Sequence, residues 1–89
     1  MTIKEIKIQY ALGSLTDKMK YDIADNPNTP IEVLTILSKD ESWHIRCGVA
    51  WNTNIPKELL TKLSTDDKDW HVRRRADIQL RNKTRKFLA

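Results

Sequence analysis

Residues 26–38 of this chain return, with few changes, at 52–64. Asn-Pro-Asn-Thr-Pro-Ile-Glu-Val-Leu-Thr-Ile-Leu-Ser aligns with Asn-Thr-Asn-Ile-Pro-Lys-Glu-Leu-Leu-Thr-Lys-Leu-Ser at an offset of 26. Asp40 then matches Asp66, and after a one-residue insertion Trp43-His44-Ile45-Arg46 matches Trp70-His71-Val72-Arg73 at an offset of 27. Twelve of the 21 positions from Asn26 to Arg46 are identical in the second copy: Asn26, Asn28, Pro30, Glu32, Leu34, Thr35, Leu37, Ser38, Asp40, Trp43, His44 and Arg46. A unit this short cannot bury its own apolar face, so such units become stable by stacking on one another. The repeat therefore directs the chain toward an array of like units and away from folds that depend on distant strand pairing.

Each unit reads as two short helices. Thr29-Pro30-Ile31-Glu32 offers a capping hydroxyl, a proline at the first helical position where its missing N–H costs nothing, and a glutamate placed to close a capping box. A helix is thus expected from Pro30, with Val33, Leu34 and Leu37 as its apolar stripe and Leu59, Leu60 and Leu63 as the stripe of the second copy. Ile55 stands where Thr29 stood, so the second start is expected to be weaker, with Asn54 substituting as cap. Polar breaks at 39–42 and 65–69 end in the candidate caps Ser42 and Asp69. In the helices that follow, Ile45 and Val49, then Val72 and Ala76, recur four residues apart.

The first 25 residues look like a worn earlier copy. Thr2-Ile3-Lys4-Glu5 has capping-box spacing, Ile3, Ile6 and Tyr10 share a helical face, and Gly13 is a natural helix stop. A second helix is expected from about Leu15 to Ala24, with Met19 and Ile23 inward at the positions of Ile45 and Val49. The expected organisation is one domain over 1–89: a degenerate unit at 1–25, repeats at 26–51 and 52–78, and a closing helix extension at 79–89. Composition agrees. Only 2 Gly and 3 Pro among 89 residues argue against a turn-rich all-β chain, and 39% hydrophobic residues can supply one modest core.

The string Asn-Pro-Asn-Thr-Pro-x-Glu-Val-Leu, a further Leu three residues on, then Asp, Trp-His-Ile-Arg and Val-Ala resembles the leucine-rich repeat variant family, a relative of HEAT-like α-solenoids. The resemblance covers 26–76 well and 14–25 partly. It implies an all-α, right-handed solenoid of about three helix pairs without β-sheet, and a binding or scaffolding role. The sequence departs from the motif at Thr53 and Ile55, and Arg74-Arg75 stands where the preceding unit has Cys47-Gly48.

Charge is concentrated at one end. Residues 70–89 carry Arg73, Arg74, Arg75, Arg81, Lys83, Arg85 and Lys86 against Asp77 alone, a net of +6, whereas the other residues carry nine cations against eleven acids. Arg46 and Arg73 are expected to pair with Asp40 and Asp66 and brace the turns, because a planar guanidinium suits a fixed carboxylate. Arg74, Arg75, Arg81, Lys83, Arg85 and Lys86 have no such repeat-encoded acids and are the candidate partner-binding residues.

No catalytic, cofactor-binding or metal site is expected. Cys47 near His44 lacks a third orienting group and an oxyanion site. His44 and His71 stand one repeat apart, about 10 Å for stacked helices, whereas zinc bonds are about 2 Å. The recurring Trp43 and Trp70 are expected to pack between units, with base stacking as the minority reading. A single cysteine forms no internal disulfide, and no apolar run approaches the roughly 20 residues of a membrane span. A cytoplasmic, non-enzymatic module is therefore expected, acting on neither membranes nor small-molecule substrates. Protein–protein interaction with an acidic partner leads, and DNA or RNA backbone binding through the basic C-terminal helix is the alternative.

Overall fold

The computed structural model describes residues 1–85, with side chains as far as Lys83. They form six α-helices: α1 (Ile3–Ala11), α2 (Asp17–Asp25), α3 (Ile31–Leu37), α4 (Trp43–Trp51), α5 (Lys57–Asp66) and α6 (Trp70–Arg85). No strand occurs among the described residues. α2, α4 and α6 lie side by side, α3 packs against α1, α2 and α4, and α5 packs against α6. None of these helices is long and apolar enough to cross a membrane.

The apolar stripes meet in one core. Val33, Leu34, Leu37, Ile45, Val49, Leu60, Leu63, Val72 and Ala76 are all buried, joined by Ile6, Leu15, Ala24 and Ala50. Ile55, read as a lost cap, is 2% exposed and belongs to this core. Its burial stabilises by about 1.5–3 kcal/mol, an apolar gain at the position where a hydroxyl is missing. Met19, expected inward, is 39% exposed. On α2 the buried position is Ala24, because α2 closes on α4 at Gly48: a Cβ there would lie 3.2 Å from the Tyr21 ring and 3.3 Å from the Ala24 methyl.

Local chemistry sets the helix ends. At α1 the Thr2 hydroxyl accepts from the Glu5 amide at 3.1 Å, and the Glu5 carboxylate accepts from the Thr2 amide at 3.4 Å. Gly13 follows the helix at φ +71°, a left-handed conformation that glycine adopts without Cβ strain. α2 starts two residues later than expected because the Thr16 hydroxyl accepts from the Met19 amide at 3.2 Å. The expected box at Thr29 does not form. Its hydroxyl donates back to the Ile23 carbonyl at 2.5 Å, Pro30 takes the N-cap position, and Glu32 pairs with Lys7 at 3.0 Å. Asn54 does not cap α5 either: its side-chain amide donates to the Pro27 carbonyl, and Pro56 holds the N-cap position. Ser42 occupies the N-cap of α4 without a side-chain bond. Asp69 does cap, accepting from the His71 amide at 2.8 Å.

The units are tied together by side chains that reach from one to the next. The buried Asn52 amide donates to the Ala24 and Asn26 carbonyls at 2.7 and 2.8 Å, satisfying the end of α2. One unit later Gln79 donates to the Trp51 and Asn52 carbonyls, both at 3.3 Å, and does the same for α4.

The ionic bracing also runs between units, which corrects the pairing expected from sequence. Asp40 pairs with Lys20 at 3.1 Å, and Arg46 grips the Asp67 carboxylate through Nε at 2.8 Å and Nη2 at 3.2 Å. Within its own unit Arg46 donates to the Asp40 carbonyl, as Arg73 does to that of Asp67, each at 2.6 Å. Asp67, not Asp66, is therefore the structural counterpart of Asp40. Both accept from the amide two residues on, Ser42 and Asp69, at 2.9 Å.

Candidate binding groove

The exposed side of α2, α4 and α6 is an open groove of about 430 Å³. Helical spacing places Trp43, Cys47 and Trp51 on one face of α4, and Trp70, Arg74 and Ile78 on the equivalent face of α6. All six line the groove together with Tyr21, His44, His71 and Arg75.

Its aromatic rings form a continuous run. Tyr21 lies 5.5 Å from His44, and His44 meets the edge of Trp43 at 5.2 Å. Trp43 stacks on His71 at 4.7 Å, and His71 stacks on Trp70 at 3.8 Å, with interplanar angles of 23° and 26°. The Trp43–His71 contact joins α4 to α6, as expected of inter-unit packing. The tryptophans are nonetheless not core: Trp43, Trp51 and Trp70 are 42%, 39% and 56% exposed. Large rings left this open on neighbouring helices form an exposed aromatic patch rather than a satisfied interior.

The six candidate cations divide. Arg74 and Arg75 are on the groove, exposed, and neither forms an ion pair with any described residue. The Arg75 guanidinium rests over the Trp51 ring, 4.8 Å from its centroid. Arg81 pairs with Asp77 at 3.1 Å on an exposed stretch of α6. Lys83 is not a free charge: it donates to the Ile55 carbonyl at 2.9 Å and the Thr53 carbonyl at 3.3 Å. The Arg85 side chain and Lys86 lie outside the described residues.

Sequence reasoning passed over Tyr21, Trp51 and Ile78 as groove residues. The signal was present for Trp51, which lies four residues beyond Cys47 and eight beyond Trp43, on the same helical stripe.

Two titrating groups shape the groove. Burial raises the Cys47 pKa, outweighing the opposing influence of Arg75, so its thiol moves away from the thiolate form. For Asp69, burial is opposed and outweighed by the His71 amide and ring and by the charge of Arg46, which hold the carboxyl below its ordinary range. The ionised Asp69 accepts from His71 Nδ1 at 3.0 Å and so fixes the ring that lies between the two tryptophans. Among the described residues no group of three or more His, Cys, Asp or Glu side chains is placed to hold a metal ion.

Neither a protein-family model, a curated protein nor a solved structure matches this chain.

Proposed function

We propose that this chain is a non-catalytic binding module, a short right-handed α-solenoid of about three helix pairs whose α4–α6 groove receives an extended anionic chain. The observation that carries the reading is the pair Arg74 and Arg75: two guanidinium groups with no carboxylate partner among the described residues, set beside three half-exposed tryptophans. Recurring inter-unit bonds at Asn52 and Gln79 support the solenoid arrangement, because each unit closes the helix end of the one before it. Acidic protein segments and nucleic acids both present the anionic chain that such a groove accepts.

Tryptophan fluorescence titrated with poly-L-glutamate and with oligothymidylate, at 50 and 300 mM salt, tests the reading. Saturable quenching that weakens with salt and disappears in Arg74→Ala/Arg75→Ala is expected. No response to either polymer at the lower salt would overturn it.

A further inference from the structure

We infer that the occupant of the α4–α6 groove is a single-stranded nucleic acid, with a base stacked on the Trp70 ring and phosphates on Arg74 and Arg75; this rests on the anionic-chain reading above.

The aromatic geometry favours bases over an acidic peptide. Glutamate and aspartate offer charge but no π-face, whereas the groove offers rings in nearly parallel planes. Trp43, His71 and Trp70 form a three-ring stack with centroid steps of 4.7 and 3.8 Å. Trp70 is the end of that stack and its most exposed ring, so it can accept one more planar group. Every base has such a face, and aromatic platforms beside a cationic track are how single strands are held with little sequence preference. In a duplex the base faces are already stacked on one another and cannot reach the rings.

Charge sets the polarity and extent of the site. Arg74 follows Trp70 by four residues on α6, so ring and guanidinium are neighbours on one stripe. On α2 the counterparts of Gly48 and Trp51 are Asp22 and Asp25, both exposed. The groove's two cations, Arg74 and Arg75, both stand on α6, so the phosphate contacts are confined to the α4–α6 half. The tract is therefore short, with Trp70 as the base platform and Arg75 held over Trp51 as the second phosphate contact.

Fluorescence anisotropy of labelled ten-nucleotide oligo(dT) and oligo(rU), a hairpin duplex of equal charge and labelled poly-L-glutamate tests this with the full chain. Single strands are expected to bind saturably and at least tenfold more tightly than duplex or polyglutamate. Trp70→Ala is expected to weaken single-strand binding about tenfold, while Trp70→Phe, which keeps a ring, retains most of it. Arg74→Gln/Arg75→Gln is expected to flatten the salt dependence. Circular dichroism of each variant checks that the helices remain. Polyglutamate binding as tight as oligo(dT), with no loss in Trp70→Ala, would overturn the nucleic-acid inference and leave the anion-binding groove standing with a protein partner. Equal binding of duplex and single strand would also overturn it. Failure of every ligand at low salt would remove the anion-binding reading of the groove itself.

Discussion

Arg46 and Arg74 sit on corresponding helices of two repeated units and are put to opposite uses. Arg46 is buried, its guanidinium shared between the Asp67 carboxylate and the carbonyls of Asp40 and Glu41. Arg74, one residue beyond the true counterpart of Arg46, points into the groove with no ion-pair partner among the described residues. A count of charges treats them alike. Their difference shows that a one-residue step around a helix, about 100° of rotation, decides whether a cation serves the fold or remains free for a ligand.

The largest expected effect breaks this contrast from the structural side. Arg46→Ala leaves the Asp67 carboxylate buried without its partner, a loss of about 3–5 kcal/mol. Arg74→Ala at its exposed position stays within about 0.5 kcal/mol. Urea denaturation of the two variants measures both, and comparable losses would mean that the division of labour between the arginines is wrong.

Asn52→Ala comes next. It removes the donor to the Ala24 and Asn26 carbonyls at a position only 1% exposed, and should cost about 1–3 kcal/mol. Gln79→Ala removes the equivalent donor through longer bonds and should cost less. A reversed order in urea midpoints would show that the two inter-unit amides are not counterparts.

The first interface between units supplies a pH test. Tyr10 donates to Asp40 at 2.7 Å, and Lys20 approaches the same oxygen. Burial acts to raise the Asp40 pKa, but the Ser42 amide, the Tyr10 hydroxyl and Lys20 outweigh it and hold the carboxyl below its usual 3.8. Its stabilising contribution is thus present above pH 3.8 and lost as pH falls through the lowered value. For Tyr10, burial and the Asp40 bond push the pKa from 10.0 up to about 12. Its contribution is full below pH 10 and lost as pH rises through about 12. Tyr10→Phe should therefore lose less stability than the wild type between pH 10 and 12, as read from thermal melts. A parallel alkaline decline in both proteins would exclude Tyr10 as its source.

Much of the core was legible because the residues that repeat are those that pack: Val33, Leu34 and Leu37 recur as Leu59, Leu60 and Leu63, and Ile45 with Val49 recurs as Val72 with Ala76. The helix starts were harder. The Thr29 hydroxyl bonds to Ile23 in the preceding helix, a partner that a four-residue capping pattern does not contain. The ionic bracing was misread for a related reason, since proximity along the chain suggested Asp40 for Arg46 whereas stacking supplies Asp67. In the candidate site, Arg74 and Arg75 were legible as a departure from the repeat. Lys83 was not distinguishable from them, because its role depends on where the Ile55 and Thr53 carbonyls end.

The smallest expected effect sharpens why an arginine pair stands in one unit and Cys47-Gly48 in the other. At the α2–α4 contact a large Tyr21 meets Gly48; at the α4–α6 contact the corresponding positions hold the small Cys47 and the large Arg75. Bulk has changed sides between the two interfaces. Gly48→Ala alone should change stability by less than about 0.5 kcal/mol, because a helix-propensity gain of about 1 kcal/mol is offset by the contact with the Tyr21 ring at 3.2 Å. With Tyr21→Ala as background only the Ala24 methyl at 3.3 Å remains close, and the same substitution should become stabilising, by up to about 1 kcal/mol. A double-mutant cycle in urea reads the difference directly. Equal effects in both backgrounds would show that Tyr21 does not dictate the glycine, and that the exchange of bulk with Arg75 is not a packing rule.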